Sequence, residues 1–329
     1  MKKFCATALV LGLMALPVNA AMEINAYSIT PEKYVSKISK AFTEDTGIKL
    51  NFLRLSSGEA QSRLVAEKEN PQVDVLIGGP ADVYEVLRKN GVLEQYRPKD
   101  VDAVPAKFRN PDNYWTGWGI IPLCFLTNDR FLKKNKLSAP ESWNDLLDPA
   151  YKNGLQMADA RTSGTATERI YSLVKIMGED EAFKYQKKMH ANIQMYTKSG
   201  AGGAMPIATG QAASGIFYIV DALDIQQAGY PVTVSYPKDG VTYGIEADGI
   251  IKGAKNLDAA KKFIDWMTSK RFSEFIVANH INYVPTRTDV KTSVPQLNLS
   301  NINLVETDVT WKGENKARFV ERWINEVIK

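Results

Sequence analysis

The sequence predicts an α/β protein of two lobes, each a mostly parallel sheet flanked by helices, with a cleft between them. Three observations carry this. Short apolar strands alternate with amphipathic helices over residues 23–89, and a second alternating set follows over 155–228. Two extended apolar segments, near 120–127 and 243–251, are positioned to cross between the sets in place of a single flexible tether. The expected division is 21–122 with 246–329 for lobe 1 and 123–245 for lobe 2, with a C-terminal helix free to pack back on lobe 2.

Each element has a local cause. Residues 23–28 form a short strand with a polar end, and Pro31 opens a helix to about Asp45 that Gly47 stops. Residues 48–55 alternate as a second strand, and Ser56-Ser57-Gly58-Glu59 starts another helix in capping-box fashion. A third strand over 73–77 runs into Gly78-Gly79-Pro80 and a helix over 81–89. Apolar strand material reaches Thr127, then a Pro-containing loop and a helix around 143–147 follow. In the second set strands are expected over 155–158, 193–196 and 215–219. Helices are expected over 163–177, 180–190, 206–209 and 221–228. A strand over 232–236 comes next, and 243–251 returns toward lobe 1. An amphipathic helix over 257–268, a loop at Pro285-Thr286-Arg287 and a helix over 315–328 complete the chain.

The ends and composition narrow the setting. Lys2 and Lys3 precede an apolar run over 6–16, and Val18-Asn19-Ala20 has small-x-small character. This predicts an export leader cleaved after Ala20, too short for a membrane anchor. Cys5 lies too early for a lipid anchor. Cys124 then stands alone in an apolar run, as a buried thiol without a disulfide partner. The formal charge of +4 falls to +2 without Lys2 and Lys3, and the basic residues are dispersed among acidic neighbours. No nucleic-acid partner is indicated.

Ligands of open α/β sheets sit beyond the carboxyl ends of the strands. Here three strands end in small polar residues, at Ser28, at Ser56-Ser57-Gly58 and at Gly79. The most informative stretch is Met157-Ala-Asp-Ala-Arg-Thr-Ser-Gly-Thr-Ala-Thr-Glu-Arg-Ile170. It reads as a strand end, a polar turn and a helix start. Thr162, Ser163 and Thr165 can cap, Gly164 permits close approach, and free N–H groups favour an anion. An ordinary N-cap is the alternative. Ser199 and Gly200 form a second loop with backbone donors. Tyr218 and Tyr243 end strands on the expected cleft side, as hydrogen-bonded core residues or as ligands of a hard ferric ion. Asp221 either caps a helix or accepts from ligand hydroxyls or an amine.

Catalytic patterns are missing. His190 and His280 are the only histidines, each in or beside a helix. No HExxH, Walker A, CxxC or GxSxG occurs, so no enzymatic activity, cofactor or resident metal is expected.

Taken together, several segments resemble the periplasmic solute-binding proteins of ABC importers, in the ferric-iron-binding (type 2 periplasmic) branch. They are 55–67, 74–79, Ser163-Gly-Thr165, Tyr196-Thr-Lys-Ser-Gly200 and 251–258. Ferric binders carry a tandem Tyr-Tyr where this chain has Val220 and Asp221. The sugar-phosphate-binding members look closer, sharing the Ser-Gly-Thr helix start and an Asp at 221, though a His precedes it there. A second acidic residue of that site corresponds to Asp239 or Glu246. The resemblance implies a monomeric periplasmic receptor that closes on a small anionic solute, a sugar phosphate or another organophosphate or phosphonate, and delivers it to an inner-membrane permease. A ferric-iron receptor using Tyr218 and Tyr243 is the alternative.

Overall fold

The first strand, β1 (Glu23–Ser28), leads into α1 (Glu32–Thr46), which Pro31 opens and left-handed Gly47 closes. β2 (Lys49–Arg54) precedes α2 (Ser57–Ala66), whose start is a reciprocal capping box of Ser56 and Glu59. β3 (Val75–Pro80) and α3 (Ala81–Lys89) complete the first set. The long β4 (Thr116–Asn128) then leads to α4 (Asp129–Asn135), β5 (Leu155–Ala158), α5 (Gly164–Met177) and α6 (Glu179–His190). Next come β6 (Ile193–Thr197), α7 (Ala204–Ala208), β7 (Ser214–Tyr218), α8 (Ile219–Gln227), β8 (Val232–Ser235) and β9 (Tyr243–Ile250). The last elements are α9 (Leu257–Thr268), α10 (Lys270–Ala278), β10 (Val284–Pro285) and α11 (Val309–Trp323). This computed structural model describes residues 22–329, so the expected leader and its cleavage after Ala20 lie outside the described residues.

Strand order is β2-β1-β3-β9-β4-β7-β5-β6, with β10 and β8 also on β4. The outer strands pair parallel, β1 with β2 and β3, and β5 with β6 and β7. The shared strands are antiparallel. β9 pairs with β3 and with the first half of β4, and β7 and β8 pair with its second half. The changeover falls at Pro122, opposite Tyr243, and Leu123, opposite Tyr218. The chain leaves one half along β4 and returns along β9, so these strands must run in opposite directions.

Several local readings need correction, three of them through a side-chain cap. Asn128 accepts from the N–H groups of Arg130 and Phe131 and so nucleates α4 where a loop was expected. Ser269 caps Phe272 N–H and starts α10, also unforeseen. Asp308 caps Trp311 N–H, so α11 begins six residues earlier than expected, and it ends in a π turn over Ile324–Ile328. The helix around 143–147 is a 3₁₀ turn, Asn144–Leu147. Because β7 ends at Tyr218, Asp221 lies inside the first turn of α8 and does not start it.

α11 ties the back of the molecule together. Phe319, Trp323 and Val327 pack with Ile170, Tyr171 and Phe183 of α5 and α6. On its other flank Gly313 lies against Glu85 of α3. Two lysines one turn apart face opposite partners. Lys312 Nζ donates to Glu168 Oε1 at 2.6 Å and to the Tyr243 carbonyl at 2.8 Å, while Lys316 Nζ is 3.0 Å from Asp82 of α3. Glu168, Lys312 and Asp82 are buried. Removing one member of such a pair strands a buried charge. Lys312→Met is therefore expected to cost about 3–5 kcal/mol in urea unfolding, and Lys312→Met with Glu168→Gln to recover a large part of that loss.

Candidate functional site

A cavity of about 310 Å³ opens where the strand ends of the two sheets face each other. Ser56, Ser57 and Gly79 line it from the β1–β3 side, and Ser163, Gly164, Thr165, Ser199 and Gly200 from the β5–β6 side. Tyr218 and Asp221 complete its lining among the residues expected from sequence. The two sides are in contact. Gly58 N–H donates to the Thr162 carbonyl at 3.0 Å, and Lys198 pairs with Glu59 across the same seam. Lys198 and the Ser56 cap hold the Glu59 carboxyl low, at about 2.

One end of the cavity is a set of donors. Ser163 precedes α5 but its side chain caps nothing, in contrast to Ser56 on α2. The hydroxyls of Ser57, Ser163, Thr165 and Ser199 make no side-chain hydrogen bond among the described residues, although Ser57, Ser163 and Thr165 are all buried. Their oxygens open into the cavity, where water or a solute is the available partner. Here four converge beside the N–H groups of a helix start, where the dipole adds positive potential. Gly200 is required by space, because a Cβ there would lie 2.1 Å from Thr165 Oγ1.

The other end is acidic. Burial pushes the Asp221 carboxyl up to about 7, helped by neighbouring Asp224 and opposed by Arg54. Burial likewise pushes Glu246 up to about 7, against hydrogen bonds from the Gly79 backbone and the Thr30 hydroxyl. Gly78 and Gly79 have φ of 71° and 85°, and a Cβ on Gly78 would meet both Thr30 and Glu246, so only glycine lets the strand end wrap this carboxylate. Of the two acidic residues left open by sequence, Glu246 lines the cavity, whereas Asp239 accepts from Trp143 N–H at 3.1 Å.

Four expected residues do not line this cavity. Ser28 is buried behind it, within 3.4 Å of the Thr30 carbonyl. Gly58 and Thr162 contribute backbone to the seam, and the Thr162 hydroxyl turns to the Lys198 carbonyl. Tyr243 faces the opposite side of its strand and donates to Glu306 at 2.6 Å. The ferric alternative needed Tyr218 and Tyr243 together. They do not converge, and burial holds Tyr218 as a phenol, its hydroxyl 3.5 Å from Glu168. Among the described residues no group of three or more His, Cys, Asp or Glu is arranged to hold a metal ion. Arg54, Glu32 and Tyr283 also line the cavity and were missed. Arg54 closes β2 and could have been found as the charged residue just before Leu55-Ser56, but Tyr283 lies far along the chain and carries no local signal.

A two-lobed α/β frame with a donor-lined cavity between lobes defines a receptor for a small solute. Residues 37–298 match the bacterial extracellular solute-binding proteins, and the chain belongs to that family. An uncharacterised Haemophilus influenzae protein is 31% identical, covering 94% of this chain and 92% of its own. A putative 2-aminoethylphosphonate-binding periplasmic protein of Salmonella typhi is 26% identical over 77% of this chain and 74% of its own. The structure of the periplasmic binding protein AfuA of Actinobacillus pleuropneumoniae, with fructose-6-phosphate bound, superposes with a TM-score of 0.89 at 32% identity. It covers 93% of this chain and 98% of AfuA.

The raised carboxyls give a stability signature. A buried acid with a raised pKa keeps its proton in the folded chain after the unfolded chain has released it. From about pH 4.5 to 7, folding stability contributed by Glu246 therefore falls as pH rises. Glu246→Gln is expected to remove that slope and raise Tm at pH 8 by about 2–4 °C in ligand-free protein, read by differential scanning calorimetry at pH 5 and 8.

Proposed function

We propose that this chain is the extracytoplasmic receptor of an ABC importer, a monomer that closes on one small organophosphate or phosphonate and hands it to an inner-membrane permease. The observation that carries the anionic reading is the group of hydroxyls from Ser57, Ser163, Thr165 and Ser199, without partners beside the uncapped start of α5. Neutral donors and a helix dipole bind an anion without a permanent counter-charge, which suits a solute that must be released again. Hinge closure is the usual motion of this architecture. The seam from Gly58 to Thr162 and from Glu59 to Lys198 would form as the lobes meet. The named ligands of relatives, fructose-6-phosphate and 2-aminoethylphosphonate, fall in the same chemical class. In this reading the chain acts in the periplasm after losing its leader, and performs no chemistry on its solute.

Calorimetric titration of the purified protein with glucose 6-phosphate, inorganic phosphate and 2-aminoethylphosphonate tests the reading. At least one should bind, and Ser163→Ala and Thr165→Ala should each weaken that ligand about tenfold, the loss of one hydrogen bond to a charged group. Absence of heat with every phosphate and phosphonate, beside tight ferric binding and a coloured protein, would overturn it.

A further inference from the structure

Gly58 has no local reason to be glycine. It is the second residue of α2 and has no positive φ, and alanine is the better helix former. The reason lies across the seam. A Cβ at 58 would stand 2.8 Å from the Arg161 carbonyl oxygen and 3.1 Å from Thr162 Cα, main-chain atoms that no side-chain rotation can move aside. We propose that Gly58 sets how far the two sides of the cavity close, and so determines solute affinity without touching the solute. This rests on the closure reading above and extends it to a residue outside the cavity.

The hydrogen bonds of the helix start agree with this. Ser56 and Glu59 satisfy each other's N–H groups through the capping box within α2. The Gly58 N–H between them is a donor the helix leaves free, and it reaches the Thr162 carbonyl at 3.0 Å. The opposite side is built alike. Gly164, the first residue of α5, would carry its Cβ 2.7 Å from Pro80 Cγ and 2.9 Å from Ser57 Oγ. Two helix starts therefore approach each other through glycines, one from each side. Ser57 and Gly164 line the cavity described above, whereas Gly58, Ser62 and Arg161 line a second cavity of about 660 Å³. The clash at 58 thus falls outside the space a solute would occupy.

The ion pair across the seam is the weaker element. Lys198 is 69% and Glu59 39% exposed, and an exposed pair adds little in water. A methyl at 58 instead forces two backbones apart. That lengthens the Gly58–Thr162 hydrogen bond and draws Ser57 away from Ser163 and Thr165.

Calorimetric titration with 2-aminoethylphosphonate, glucose 6-phosphate and inorganic phosphate, together with calorimetric melting, tests this on Gly58→Ala and Lys198→Ala. Gly58→Ala should weaken whichever probe binds by about tenfold or more. Its ligand-free Tm should stay at or above that of the unsubstituted protein, because alanine favours the helix. Lys198→Ala should weaken the same probe by less than about fivefold. Affinity of Gly58→Ala within about threefold of the unsubstituted protein, or lost together with a lowered Tm, overturns the proposal.

Closure can also be read without a solute. Ser62→Cys and Arg161→Cys place thiols on either side of the seam, and a short bismaleimide joins them when the sides meet. Cys124 is buried and does not compete. Adding Gly58→Ala should slow the joining by about tenfold with single-site labelling unchanged, and an unchanged joining rate overturns the proposal. If none of the three probes binds, the organophosphate reading falls and the joining rate alone decides the role of Gly58.

Discussion

The antiparallel pairing of β4 with β9 is the constraint on which the other features depend. β4 runs from Thr116 to Asn128 and takes its partners first from one sheet and then from the other. Every strand that faces the cavity is anchored, directly or through a neighbour, to this pair. The partner of β4 changes at Pro122 and Leu123, opposite Tyr243 and Tyr218, so a bend there would leave both sheets' ladders intact.

α11 adds a second tether on the far side. Its lysines reach Glu168 on α5 and Asp82 on α3, so the same helix is tied to the helix whose start lines the cavity and to the helix that follows the Gly78-Gly79 turn. The Glu168 carboxylate also meets the hydroxyl of Tyr218, a cavity residue. The cavity and the rear strap thus share one buried polar network.

How much of this was legible in the sequence depended on where the signal lay. Ser163, Gly164 and Thr165 were readable because a strand end, small residues and a helix start are all local, and the alternation of strands and helices gave the frame. Tyr243 was misread because alternation along a strand tells which residues share a face but not which face looks into the cleft. Gly58 and Thr162 carry the right residue types yet use their backbones on each other across the seam. Tyr283 reaches the cavity only because β10 flanks the first half of β4, a long-range pairing that no spacing announces, and the pairing of β9 with β4 decides for Glu246 over Asp239. The unforeseen α4 and α10 turned on single capping side chains, Asn128 and Ser269, whose effect depends on geometry and not on composition.

The electrostatics of the cavity bear directly on closure. Closing the lobes around Asp221 and Glu246 removes two carboxylates from water, and burial alone drives both toward their protonated forms. Without a ligand that cost opposes closure. In the proposed reading a bound solute would offset part of that cost, with the hydroxyls of Ser57, Ser163, Thr165 and Ser199 taking its anion. In that reading the groups that line the cavity would also penalise closing on nothing. A ligand shifts a conformational equilibrium only by its difference in affinity for the two states, and in this cavity the buried, proton-holding carboxyls would set part of that difference.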